Sequence, residues 1–202
     1  MNSKVQNVLL GVLAVGLIGI TVAYAALTQQ LTINGTAKVA ATKWDVHFAK
    51  LSAGATTGYA STDGKTLAIA GDKSTSIEGN LGTLRAPGDT ITYTFDIENA
   101  GDINAVIDSV TGGQGVTCTS TTQSVADAVC KELTYSIKYT DGNTIAKGDK
   151  LAKATNSSTP TTKNVTLTLT YKATAESASL PSEDVTVTAN GMTINYVQDA
   201  NN

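Results

Sequence analysis

The spacing of apolar positions changes abruptly near Ala26. No charged side chain interrupts the run from Val8 to Ala26, and about 19 apolar or neutral residues suffice for an export segment or a short span. Ala23-Tyr24-Ala25 fits the small-x-small cleavage pattern, so cleavage between Ala25 and Ala26 is predicted, with residues 1–25 as signal peptide. The alternative is an uncleaved N-terminal anchor. From Leu27 to Val39 the period becomes two. Leu27, Leu31, Ile33, Ala37 and Val39 share one parity, as a strand buried on one face requires. Gly35 marks a bulge or a break in it. Cutting after Ala25 would therefore free a chain end already patterned for a sheet.

The same alternation recurs through residues 26–202, which read as one domain. In Lys43–Phe48, Trp44, Val46 and Phe48 share a face, and this most aromatic strand reads as a core anchor, while Asp45 and His47 point away. Leu67–Ile69 and Ile77–Leu81 are short apolar patches in a loop-rich stretch. Ile91, Tyr93, Phe95 and Ile97 alternate with threonines and acids. Ile103–Val110 is apolar on both faces and reads as a central strand. Leu133–Tyr139 and Val165–Tyr171 alternate cleanly, with the polar residues from 141 to 164 between them read as a loop. Val185–Ala189 and Met192–Val197 flank Asn190-Gly191, which is a hairpin signal. A short helix is expected at Ser124–Val129. The sum is all-β, a single antiparallel sandwich of about nine to eleven strands behind an N-terminal apolar signal helix.

Composition narrows the function classes. The chain has 202 residues, 41% of them hydrophobic and only 15% charged. About one residue in six is Thr, whose branched Cβ favours strands. Net charge is −3, and residues 1–25 hold one lysine and no acid, so the cleaved chain is near −4. Nothing is basic enough to call for nucleic acid or an anionic membrane surface. Membrane contact is expected only through an uncleaved N-terminal segment. In an exported chain Cys118 and Cys130 are most simply one disulfide, closing a loop worth about 3 kcal/mol. A reactive or metal-binding pair is the rival reading, and no neighbouring histidine supports it.

Catalytic chemistry finds little to use. His47 is the only histidine, so any Ser-His-Asp or Cys-His site would have to include it. There is no His-Glu-x-x-His and no phosphate-binding glycine loop that opens a helix. The acids are dispersed in turns such as Asp63-Gly64 and Asp141-Gly142, which turn chemistry explains. No cofactor is expected. No metal site is expected either, with loop calcium left open.

One stretch carries a family resemblance. Pro87-Gly88-Asp89, then Phe95, then Glu98-Asn99-Ala100-Gly101 before a second apolar strand, resembles the TasA/camelysin group of secreted bacterial surface and biofilm-matrix proteins. The chain start is similar too, with an apolar signal, a small-aromatic-small triplet and an immediate first strand. The resemblance covers Val8–Val39 and Leu84–Val110. It implies a jelly-roll-like sandwich, a dedicated signal peptidase, and assembly into extracellular fibres in which the N-terminal strand of one subunit completes the sheet of the next. The partners implied are further copies of the chain and a minor fibre or anchoring subunit. Camelysin-like members are described as metal-dependent proteases, and the motifs for that activity are absent.

Three readings follow. The first is a secreted structural subunit of a fibre or biofilm matrix, assembling through Leu27–Val39. The second is a monomeric or membrane-anchored adhesion module that folds this strand into its own sheet. The third, a secreted protease, has only His47 to build on.

Overall fold

The structure, a computed structural model, describes residues 13–14, 37–38, 41–62, 64, 67–71, 73–156, 158–174 and 180–200. The chain divides into two units, Met1–Ala40 and Ala41–Asn202. In the first, Leu13 and Ala14 are helical and exposed, while Ala37 and Lys38 are exposed and in no regular element. The expected cleavage site at Ala25 and Ala26, and Leu27, Leu31, Ile33 and Val39 of the expected strand, lie outside the described residues. No helix among those described is long and apolar enough to cross a membrane.

The second unit is an all-β sandwich with one helix. Its strands are β1 (Val46–Ala49), β2 (Ala55–Thr57), β3 (Leu67–Ala70), β4 (Ser76–Gly79), β5 (Thr90–Asn99), β6 (Ala105–Gly112), β7 (Val116–Thr119), β8 (Leu133–Tyr139), β9 (Lys150–Leu151), β10 (Thr161–Tyr171), β11 (Thr186–Ala189) and β12 (Met192–Gln198). Helix α1 (Gln123–Lys131) lies between β7 and β8. The larger sheet runs β1-β5-β10-β8, with β2 beside β1 on the same edge of β5. Opposite it lies the sheet β12-β6-β9, and β3 and β4 form a separate hairpin.

Period-two burial builds the core. Ile91, Tyr93, Phe95 and Ile97 of β5 and Val165 and Leu167 of β10 meet Ala105 and Ile107 of β6. Phe48 packs edge-on against Phe95, with ring centroids 5.5 Å apart. The threonines of β5 and β10 take the outer face in register, Thr90 opposite Thr170 and Thr92 opposite Thr168.

The structure corrects several expectations. The aromatic strand does pack on the core through Val46 and Phe48, but Trp44 takes no part, for β1 begins at Val46 and Trp44 is 43% exposed ahead of it. The stretch 141–164 is not all loop. β10 starts at Thr161, because Thr161–Asn164 continue the ladder along β5 to Asn99. Ile145 and Leu151, isolated among polar neighbours in the sequence, are buried in the core. Asn190-Gly191 does not close a hairpin: β11 pairs with β7 and β12 pairs with β6. The chain instead runs on as one strand of a long ribbon, bridged by Gly113 N–H to Gly191 O at 3.0 Å and Asn190 N–H to Gly115 O at 3.2 Å. Gly112 permits this crossing, with φ +74 and no room for a Cβ beside the Gly191 carbonyl.

Candidate functional site

The motif residues that suggested a family prove to be clamps at two turns. Pro87 and Gly88 make the first turn, with Gly88 at φ +96. Asp89 behind them is buried and accepts the backbone N–H groups of Arg85 (2.7 Å), Ala86 (2.9 Å) and Tyr59 (2.8 Å). Burial alone would push its carboxyl up. The three backbone donors and the charge of Arg85 outweigh that and hold it below the usual range. At the other end of β5, the buried Asn99 donates to Ile103 O (2.9 Å) and Leu151 O (3.3 Å) and accepts Gly101 N–H (2.9 Å). A Cβ at Gly101 would lie 2.6 Å from Lys43 O, so only glycine lets the two backbones approach.

Glu98 belongs to a polar cluster on the outer face of the larger sheet. Its buried Oε1 has no aligned hydrogen bond, and the Lys50 ammonium 2.7 Å away balances its charge. Lys50 also reaches Asp96 at 3.0 Å, and Asn164 donates to Asp96 at 2.5 Å. Glu98, then Asp96, raise the Lys50 pKa, so this amine stays a cation. His47 Nδ1 lies 2.8 Å from Asp45 and its Nε2 lies 3.7 Å from Glu98. Lys43, 2.6 Å from Asp45, and then His47 hold the Asp45 carboxyl low against the cost of burial. The cluster stitches β1, β5 and β10 together. Among the described residues, no group of three or more His, Cys, Asp or Glu is placed to hold a metal.

Cys118 and Cys130 form the expected disulfide, joining β7 to α1. It anchors a second cluster in which Ala126, Val129, Leu133 and Tyr171 are buried and Val185 and Val187 are half-buried.

Between this cluster and the main core runs a groove of about 1130 Å³. Its floor is the inner face of the larger sheet, contributed by Phe95, Tyr135, Ile137, Leu167, Leu169 and Tyr171. Burial pushes the Tyr135 phenol up to about 12, so this side chain stays neutral. One wall is β4 and the segment after it, and the other is β11 and β12. Among the described residues β4 pairs only with β3, and β12 only with β6. The groove is thus bordered by two strands that each have one edge without a partner among the described residues. An unpaired edge exposes a row of N–H and C=O groups that can template another strand.

The sequence pattern did not reveal this groove. Val187, Met192 and Ile194 read only as positions in the two strands flanking Asn190-Gly191, and the open edge beside them comes from how the ribbon and the β3–β4 hairpin are spaced, which no local pattern encodes. Comparison of the chain with protein-family models, with curated protein sequences and with solved structures returns no match.

Proposed function

We propose that the protein is a structural subunit of an extracellular fibre, and that residues Leu27–Val39 of one copy fill the groove of the next. The observation that carries this reading is a groove with an apolar floor, bordered by two strands that each have an edge without a partner among the described residues. Strand addition needs both features. The edges supply main-chain hydrogen bonds, and the apolar floor takes alternate side chains.

The dimensions agree. The floor runs from Phe95 of β5, level with Val165 of β10, to Tyr171, level with Leu133. That length is seven residues of strand, roughly 20 Å. Leu31–Ala37 is also seven residues, with Leu31, Ile33 and Ala37 on one face. Donor segment and acceptor groove are different surfaces. The contact is therefore heterologous, need not close, and gives a filament. Cleavage after Ala25 would free the donor strand, so assembly follows export. This is the assembly mode that the resemblance to the TasA/camelysin group implies.

The test is negative-stain electron microscopy of purified 26–202 beside a version starting at Ala40. Filaments from the longer chain alone are expected. Filaments from both would place the assembly contact elsewhere. Monodisperse particles from both would favour the monomeric module.

A further inference from the structure

Charge distinguishes the two ends of the groove. Three charged side chains line it, Glu78, Glu183 and Asp184, and all are acidic. Glu183 and Asp184 adjoin Val185 and Val187, at the end built around Leu133, Tyr171 and the disulfide. The opposite end is bordered by Phe48, Thr75 and Ser76, and the one carboxylate toward it is Glu78, two residues further along β4. The turn there carries Lys73, beside Ser74, whose carbonyl accepts Phe48 N–H at 2.8 Å. An entering strand therefore meets two adjacent carboxylates at the disulfide end and a single one toward the other.

The segment Leu27–Val39 contains a single charged residue, Lys38. Lys38 directly follows the seven-residue stretch that matches the floor. It has the opposite parity to Leu31, Ile33 and Ala37, so it faces the rim while they face the floor. Resting on the strand-donation reading, we infer that Lys38 of the incoming strand pairs with the Glu183–Asp184 mouth, and that this contact fixes the direction of insertion. The strand then runs toward the disulfide end. β11 and β12 run away from that end, so the new ladder beside β12 is antiparallel, the slightly more stable of the two pairings. Reversed insertion would leave Lys38 with Glu78 alone and make a parallel pair with β12.

Charge reversal tests this on the mature chain. Asp184 is the acceptor to change, because it is exposed and makes no ion pair among the described residues. Glu183 already accepts Thr122 N–H at 2.6 Å at the start of α1. Elongation is followed by light scattering and microscopy for Lys38→Glu, Asp184→Lys and the double variant, with circular dichroism as the check on folding. Each single reversal is expected to slow elongation about threefold to tenfold at low salt, and the double variant to return near the parent rate. Singles that elongate like the parent, or a double variant slower than either single, would overturn the inference. So would rescue of Lys38→Glu by Glu78→Lys and not by Asp184→Lys, which would place Lys38 elsewhere in the groove. These outcomes leave strand donation standing wherever the chain starting at Ala40 fails to elongate. Filaments from that shorter chain would remove both.

Discussion

Asp89 accepts the backbone N–H of Tyr59 at 2.8 Å, tying the residues after β2 to the turn that opens β5. The same carboxylate holds Arg85 and Ala86, so one buried group is the acceptor for three backbone donors. Its folded pKa is held low, so it stabilises the fold above the unfolded value, about 3.9, and that contribution is lost as pH falls through the folded value. Urea melts between neutral pH and about pH 2.5 should show an acid loss of stability that Asp89→Asn flattens. At neutral pH, Asp89→Ala should cost about 3 kcal/mol, since three N–H groups lose their partner. An unchanged acid limb in Asp89→Asn would assign the loss to other carboxylates.

Asn99 does the corresponding work at the far end of β5. Its amide donates twice and accepts once, and the residue is 1% exposed. Asn99→Ala orphans two carbonyls and one N–H, for a cost of about 3 kcal/mol. Asn99→Asp should be no better, because it removes the donors and buries a charge. Chemical denaturation of the two variants checks this. A loss below about 0.5 kcal/mol for either would mean that water replaces the side chain.

Gly112 and Gly142 separate two reasons for a glycine. Both have positive φ, +74 and +89. A Cβ on Gly112 would run into the Gly191 carbonyl, whereas nothing lies within 4 Å of one on Gly142. Gly142→Ala carries only backbone strain, about 1–2 kcal/mol. Gly112→Ala must also push the two strands of the ribbon apart, for about 4 kcal/mol in total. Equal midpoint shifts for the two would show that the ribbon crossing yields easily.

The disulfide bears on the groove as well as on stability. Replacing Cys118 and Cys130 by Ala should cost about 3 kcal/mol in the chain-entropy account. The loss should fall unevenly. Hydrogen exchange is expected to quicken first in α1, β7 and β11, which share the disulfide cluster, and last in β5 and β10. Uniform quickening would instead mean that the two clusters unfold as one.

How much of this was legible in the sequence depended on whether a pattern was local. Ile91 to Ile97 and Val165 to Tyr171 alternate over enough residues to fix two strands, their inward faces and their part in the core. The first four residues of β10 were hidden because Thr161–Asn164 are polar. Lys163 there lays its ammonium over the Tyr139 ring, 5.6 Å from the centroid, so a charged residue covers an apolar surface. Asn190-Gly191 misled in the opposite way. A strong local turn signal was overridden by two ladders, to β7 and β6, that only the tertiary fold supplies. The motif at Pro87–Asp89 and Glu98–Gly101 was visible as a pattern, but its work as backbone clamps depends on Tyr59, Leu151 and Lys43, far away in sequence. The groove is harder still to foresee. Its floor was predictable as the inner face of a sheet, while its openness is a property of strands that fail to meet.

The proposed assembly can be separated from folding by parity along the donor strand. Ile33 faces the groove floor in the proposed register and Thr32 faces outward. Ile33→Asp would place a carboxylate against Leu167 and Leu169, where an unpaired charge has neither water nor partner. Filament formation by the mature chain should fall at least about a hundredfold, since the lost apolar burial and the buried charge together exceed about 3 kcal/mol. Thr32→Asp, one residue away, should retain most of the parent rate. The thermal midpoint of the Ala41–Asn202 unit should not move in either variant if the strand is donated to another copy. If Ile33→Asp instead lowers that midpoint in dilute, unassembled protein, the strand fills the groove of its own chain, and the monomeric module becomes the better description.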